Sequence, residues 1–112
     1  MAGRVRAGEA GDESFSALAE ALLADPAVSE GRMFGSPGLK VRGKVFAMLV
    51  RGSLVVKLPR ERVETLVAAG VAAAFDPGHG RLMKEWIAVA PAAAVDWRAL
   101  ASEARRYVEA RS

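Results

Sequence analysis

The sequence has 112 residues, of which 52% are hydrophobic and 26% are charged, and its formal net charge is +3. A chain of this size forms one domain with a modest core. It contains no cysteine, which excludes disulfides, thiol catalysis and thiolate metal sites and is consistent with the cytoplasmic location that we expect. No apolar run reaches the roughly 18 residues of a membrane-spanning helix, so we expect no membrane contact.

The N-terminal residues are rich in glycine and poor in apolar side chains. We therefore expect a disordered tail over residues 1–11, without a signal peptide, and a single domain over residues 12–112. A first helix follows the tail, with Asp12 or Ser14 as its N-cap. Asp25 should end this helix, because it precedes a proline and is disfavoured in the helical region.

A β-meander is predicted over residues 31–58. Arg42-Gly43 and Gly52-Ser53 lie between apolar runs, and glycine tolerates the positive φ of a tight hairpin turn. The cluster of breaker residues at 35–38 predicts a further turn or loop. Before it, residues 28–30 are expected to be a linker, and the next few residues are either a short extra strand or a lead-in.

The central run of the meander, VFAMLV at residues 45–50, is apolar at every position. Successive side chains of a strand point to opposite faces, so a strand of this kind is usually covered on both faces. One layer of helices covers one face, and the other face then needs a partner subunit, a loop or a ligand. We expect a self-association surface there, formed by Val45, Ala47 and Leu49.

A second helix is predicted after the meander. Pro59 is suited to its first turn, because the missing N–H of proline has no partner there in any case. The helix should end near Ala69, with Gly70 as its left-handed terminator. The short apolar segment 71–75 is either a strand or an extension of this helix.

The last part of the chain begins with the turn-prone segment 76–80. A strand is predicted over residues 84–90, and Asp96 should cap the last helix. The predicted order is α-β-β-β-α-β(β)-α. This order indicates an α+β fold, a two-layer sandwich with an antiparallel meander sheet and the helices on one face.

Basic residues are concentrated in the meander and the start of the next helix. Residues 31–62 contain eight basic side chains and one acidic, whereas the rest of the chain contains eight basic and twelve acidic. This asymmetry is typical of a nucleic-acid-binding face, although basic side chains at strand edges also protect a sheet against aggregation. The candidate nucleic-acid contacts are Arg32, Lys40, Arg42, Lys44, Arg51 and Lys57.

The single histidine, His79, lies in a glycine-flanked loop with Asp76 and Arg81 close to it in sequence. Since histidine titrates near neutral pH, a small enzyme that uses Asp76, His79 and Arg81 is a distant alternative. The same loop offers a weak anion site formed by His79, Arg81 and Lys84. No residues have the spacing of a metal site, and we expect no catalytic residue, metal or cofactor.

Four segments of the meander carry a family resemblance. They are RMFG at residues 32–35, GLKV at 38–41, GKVFAM at 43–48 and LVVKL at 54–58. In this order they resemble the N-terminal domain of the TfoX/Sxy family, and the resemblance extends over about residues 15–110. RLMKEW at residues 81–86 is also similar to the related MmcQ/YjbR family.

The resemblance implies a two-layer fold similar to that of type III secretion chaperones. Members of the TfoX/Sxy family regulate natural competence in some bacteria, and YjbR-like proteins are often described as DNA-binding. The longer regulators carry a C-terminal helical domain that has no counterpart in this sequence, so we expect a stand-alone domain. The expected function is non-enzymatic binding or regulation through a protein partner or a homodimer, with nucleic-acid binding as the alternative.

Overall fold

The computed structural model describes residues 7–33, 35–76, 83–91 and 95–111, with the backbone alone for residues 7–10. The helices and strands follow the predicted general order, with one strand more than predicted between the first two helices. The elements are α1 (Ala7–Leu23), β1 (Val28–Met33), β2 (Ser36–Val41), β3 (Lys44–Val50), β4 (Ser53–Lys57), α2 (Arg60–Ala68), β5 (Ala73–Phe75), β6 (Met83–Val89) and α3 (Trp97–Ala110).

The strands form one antiparallel sheet in the order β1-β2-β3-β4-β6-β5. The helices pack on one face, which confirms the predicted α+β two-layer architecture. We call this the helix face and the opposite one the second face. The strongly amphipathic helix α3 supplies much of the helix-face core, because its apolar side chains recur at helical spacing. The side chains that it buries are Trp97, Leu100, Ala101, Ala104 and Val108.

The first helix is longer than the sequence predicts. It begins at Ala7, so residues 7–11, which we expected in the disordered tail, belong to α1. The prediction that Asp12 or Ser14 caps this helix is therefore wrong, since both lie inside it. Gly11 is buried against the backbone of Gly52, and this contact holds the first half of α1 on the sheet. Residues 1–6 lie outside the described part of the chain.

Two tight hairpin turns organise the centre of the sheet. The first is at Arg42 and Gly43, where φ is 52° and 76°, as predicted. The second is at Arg51 and Gly52, where φ is 50° and 79°, so the turn predicted at residues 52–53 lies one residue earlier. Positive φ at both central residues is the signature of a type I′ turn, whose twist matches that of the flanking strands.

The meander contains one more full strand than the minimal prediction. Residues 28–30, expected as a linker, begin β1, which continues to Met33. Of the predicted breaker cluster, Gly35 alone adopts a positive φ, of 76°, and residues 36–38 are already in β2. Pairing between strands therefore overrides the local turn preference of glycine and proline here.

Three local predictions in the second half are confirmed. Gly70, with a φ of 78°, follows the end of α2 and gives the left-handed turn that ends the helix. The Asp96 side chain accepts a hydrogen bond of 2.9 Å from the backbone N–H of Arg98 and so caps α3. The ambiguous segment after Gly70 contains the short strand β5.

A β-bulge in β3 explains why the central run is apolar at every position. Leu39 is paired with Ala47 and Lys40 with Val45, so Phe46 is an extra residue on β3. As a result Phe46 and Ala47 both belong to the helix-face core, and the alternation restarts after them. The next residue, Met48, points to the second face.

Candidate binding surfaces

Of the three residues predicted to form a self-association surface on the second face, one lies on that face and two do not. Val45 does lie on that face. Ala47 is fully buried in the helix-face core and Leu49 packs against the same core, so their predicted position on the second face is wrong. The reason is the bulge at Phe46, which shifts the parity of the strand by one residue and cannot be read from the sequence.

The second face carries a small core of its own. Met48, Val55, Phe75 and Trp86 form one cluster, and each is no more than 5% exposed in the single chain. A partner subunit is therefore not needed to cover these side chains. At these four positions the second face is covered within the single chain.

Phe75 and Asp76, at the end of β5, supply part of the cover over the second-face cluster. Phe75 packs in the same cluster as Met48 and Val55, which belong to the central strands. The carbonyl oxygen of Asp76 accepts a hydrogen bond of 3.2 Å from Arg51, at the turn between β3 and β4. Because β6 separates β4 from β5 in the sheet, this hydrogen bond places Asp76 inward of β5, toward the centre of the sheet.

The candidate nucleic-acid contacts do not form one continuous patch. Arg32 and Arg51 lie at one end of the sheet, beside the β1–β2 and β3–β4 turns. Arg42 and Lys44 lie at the opposite end, at the β2–β3 turn. The strand register separates these two pairs by the full length of the strands.

Two lysines share the second face at the end of the sheet that carries the β2–β3 turn. Lys40 is paired with Val45 and Lys57 with Trp86, so both lysines point to the second face, with β3 between their strands. Strands lie about 4.8 Å apart, which puts their α-carbons roughly 10 Å from each other. Lys84 precedes Trp86 by two residues in β6, is exposed, and lines a groove beside α2 instead.

Most of the candidate cations are already engaged by oxygen atoms of the chain. Arg32 donates to the carbonyl oxygen of Gly35 at 3.0 Å, and Arg51 donates to Asp76 as described. Arg42 Nε lies 4.0 Å from Glu109 Oε2. For the two remaining residues of the set, Lys40 and Lys44, no oxygen partner is seen among the described residues.

Lys57 belongs to a polar cluster at Glu85. Its Nζ lies 3.8 Å from Glu85 Oε1 and 5.8 Å from the centre of the Trp86 ring. Tyr107 donates a hydrogen bond of 2.9 Å to Glu85 Oε2, and Arg111 donates to the same oxygen at 3.2 Å and to the Tyr107 hydroxyl. The cluster ties the C-terminal turn of α3 to β4 and β6.

The electrostatics of this cluster favour the neutral form of Tyr107 and the charged form of Arg111. Burial raises the pKa of Tyr107, and the hydrogen bond to the Glu85 carboxylate raises it further. The hydrogen bond with Tyr107 raises the pKa of Arg111. In the sequence, Tyr107 occupies one more position at the helical spacing of the apolar α3 residues. Nothing in that spacing identifies its hydrogen bonds with Glu85 and Arg111.

The loop proposed as an anion or enzyme site is described at its two ends alone. His79 and Arg81 lie outside the described residues, so their predicted roles stay predictions. Within the described residues, no group of three or more acidic or histidine side chains is arranged to hold a metal ion. Among the same residues, no helix is both long enough and apolar enough to span a bilayer.

An apolar groove runs between α2 and the β5–β6 edge of the sheet. Its volume is about 490 Å³, and its floor includes Val63 and Ala74. Val67, which is 38% exposed, lines it and is the exposed large hydrophobic side chain of the described residues. Arg60 lies at its rim and is paired with Glu64 at 3.2 Å.

The other edge of the sheet is formed by β1, which the sequence did not single out. β1 pairs with β2 along all six of its residues without a register shift, and no strand among the described residues pairs with its outer side. Glu30 and Arg32 are exposed there, and no ion pair joins either of them to another described residue. Long regular edges of this kind are usually blocked by a proline, a bulge or a covering segment.

The elements and surfaces together define a small α+β domain whose accessible features are a free sheet edge, an apolar groove and scattered cations. A family model described as TfoX N-terminal domain matches residues 13–111. The chain therefore belongs to the TfoX N-terminal domain family, as its sequence segments indicated. Searches of curated proteins and of solved structures found no match.

Proposed function

We propose that this chain is a non-enzymatic binding domain of a regulatory kind, which acts through contacts with protein, either a second copy of itself or another protein. The observation that carries the proposal is the outer edge of β1. No described strand pairs with the outer side of this six-residue strand, and an exposed strand edge of this kind adds a further strand readily. Membership of a family that contains regulators agrees with it.

The distribution of the basic side chains favours protein over nucleic acid as the partner. A phosphate-binding face needs several free cations in one patch. Here Arg32 and Arg51 lie at the opposite end of the sheet from Arg42 and donate to carbonyl oxygens of the chain itself. Trp86 is buried, so its ring is not accessible as a stacking platform for bases.

Nucleic-acid binding is the second candidate, and one observation favours it. Lys40 and Lys57 share the second face, and of these two Lys57 alone is in an ion pair within the described part of the chain. A polyanion could contact these lysines without changing the fold.

The test is size-exclusion chromatography with light scattering, with and without a short mixed-sequence DNA duplex, at low and moderate salt. The proposal predicts self-association or complex formation with protein, and a mass that is the same with and without DNA. A species that gains DNA mass at low salt and loses it at moderate salt would overturn it, since phosphate contacts make affinity fall with salt.

A charge variant separates the two candidates further. Lys40→Glu/Lys44→Glu changes the two candidate cations that have no oxygen partner among the described residues, so it should leave the fold intact. Arg98→Glu/Arg106→Glu, at two exposed positions of α3, is the matched control, because it changes the net charge by the same amount away from the sheet. DNA binding that is weakened by the first variant and unchanged in the control would assign it to the sheet lysines.

A further inference from the structure

We infer that two copies of this chain pair through β1 in an antiparallel arrangement, with a two-fold axis at Gly31. The inference deepens the proposed function by naming the partner and the register. Its starting point is the alternation of backbone groups in an antiparallel strand, in which successive residues direct their N–H and C=O groups to opposite sides. β1 uses one side for β2, and no other described strand pairs with its outer side.

The hairpin between β1 and β2 decides which residues face outward. Met33 and Ser36 flank a connection of two residues, and in such a hairpin the flanking residues form a hydrogen-bonded pair. Every second residue before Met33 then bonds to β2, including Gly31. The residues between them, Glu30 and Arg32, direct their backbone N–H and C=O groups to the free side.

The side chains of these two residues select one register. With the two-fold axis at Gly31, Glu30 of one copy lies opposite Arg32 of the other, and the pair occurs twice by symmetry. A shift of the axis by one residue would put Glu30 opposite Glu30 or Arg32 opposite Arg32. Directly opposed like charges are unfavourable and opposite charges favourable, so the register centred on Gly31 is preferred.

The rest of the edge agrees with this arrangement. Glu30 is paired with Leu39, a helix-face residue, so Glu30 and Arg32 both project from the helix face, where they are exposed. Gly31 has no side chain on the second face, and the Lys40 chain lies over it. The two copies would thus form one continuous sheet of twice the width.

The experiment is sedimentation or light scattering over a wide concentration range for four proteins: wild type, Glu30→Arg, Arg32→Glu and the double swap. We expect a concentration-dependent dimer for wild type. Each single change should weaken it about tenfold, because two attractive pairs become repulsive, and the double swap should restore it. An equimolar mixture of the two single variants should form a heterodimer, since one variant then has arginine at both positions of the edge and the other has glutamate at both.

A disulfide cross-link tests the register of the two β1 strands directly. The chain has no cysteine, so Gly31→Cys can form a disulfide only with another copy. At a two-fold axis through a non-hydrogen-bonded pair the α-carbons approach to about 4.5 Å, which suits a disulfide. The new β-carbon would lie 2.7 Å from Lys40 Cδ, which is part of a flexible side chain and can move. Ser29→Cys is the matched control, because its two copies would be four residues apart in this register.

The outcomes are distinct. Restoration by the double swap and by the mixture, with a disulfide at position 31 and none at position 29, supports the inference. A dimer that the single swaps leave unchanged, or that the double swap fails to restore, overturns it and leaves the proposed protein-binding function in place. A wild-type monomer at every concentration also overturns it, and the proposed function falls as well only if the monomer gains DNA mass at low salt.

Discussion

Replacement of Gly11 by alanine tests the position of the first half of α1. In an ordinary helix this change stabilises by up to about 1 kcal/mol, because glycine loses more conformational freedom on folding. Here a β-carbon on Gly11 would lie 2.1 Å from the carbonyl oxygen of Gly52 and 2.8 Å from its carbonyl carbon. Both atoms are backbone in a tight turn, so they cannot move away as a flexible side chain would.

The contact between Gly11 and Gly52 determines whether Gly11→Ala raises or lowers the free energy of unfolding. Overpacking of a well-packed site costs roughly 1–3 kcal/mol. The gain in helix propensity is about 0.5–1 kcal/mol, so it offsets only part of that cost. We therefore expect Gly11→Ala to lower the free energy of unfolding by about 1–2 kcal/mol, which corresponds to about 5 °C in Tm for a domain of this size. The measurement is urea unfolding followed by circular dichroism, with a thermal scan alongside it.

Ala17→Gly is the matched control for helix propensity in α1. Ala17 is exposed on the same helix, so its replacement should cost about 0.5–1 kcal/mol from propensity alone. Equal or greater stability of Gly11→Ala relative to wild type would show that this end of the helix does not pack on the β3–β4 turn. That result would instead agree with the tail predicted from the sequence.

Three further predictions concern other parts of the structure. Met48→Ala should lower the free energy of unfolding by about 2–5 kcal/mol in urea titration, because Met48 is fully buried on the second face of the single chain. Asp96→Ala should cost about 1 kcal/mol in the same assay through loss of the α3 cap. Asp25→Asn should be less stable than wild type near neutral pH, and the difference should disappear as the pH falls. The reason is that the hydrogen bond from the N–H of Ala27 lowers the pKa of Asp25, as does the charge of Arg105, while desolvation acts in the opposite direction.

Each of these predictions has its own contradictory result. A cost of a few tenths of a kcal/mol for Met48→Ala would show that the second face is open in the monomer. An unchanged stability of Asp96→Ala would mean that the cap contributes nothing to α3. For Asp25, a lowered pKa adds stability that is present above the ordinary carboxyl value and lost below it, so a difference between variant and wild type that grows toward acid pH would contradict the assignment.

Local signals identified most of the elements. Hydrophobic periodicity predicted α3, and turn signals between apolar runs predicted the central strands. The glycine at position 43 predicted a hairpin that the structure confirms. Asp96 and Gly70 were correctly read as helix boundaries because capping depends on a few adjacent residues. The family segments, which are also local, predicted the family that the comparison then showed.

The errors concern contacts between residues distant in sequence. Ala47 and Leu49 were placed on the wrong face because the bulge at Phe46 is a property of the pairing of β3 with β2. The helix begins before Asp12, where Gly11 lies against Gly52 of the β3–β4 turn, which is distant in sequence. Neither feature leaves a periodicity in the sequence.

The sequence by itself determined the class of the fold, the order of its helices and strands, and the excess of positive charge in the meander. These properties follow from local preferences and from a pattern of apolar residues that repeats with the period of each element. The tertiary structure decided that Phe75 and Asp76 bend toward the centre of the second face, that the candidate cations are divided between two ends of the sheet, and that no described strand pairs with the outer side of β1. Those outcomes depend on strand order and register, which are set by pairing between residues far apart in the chain.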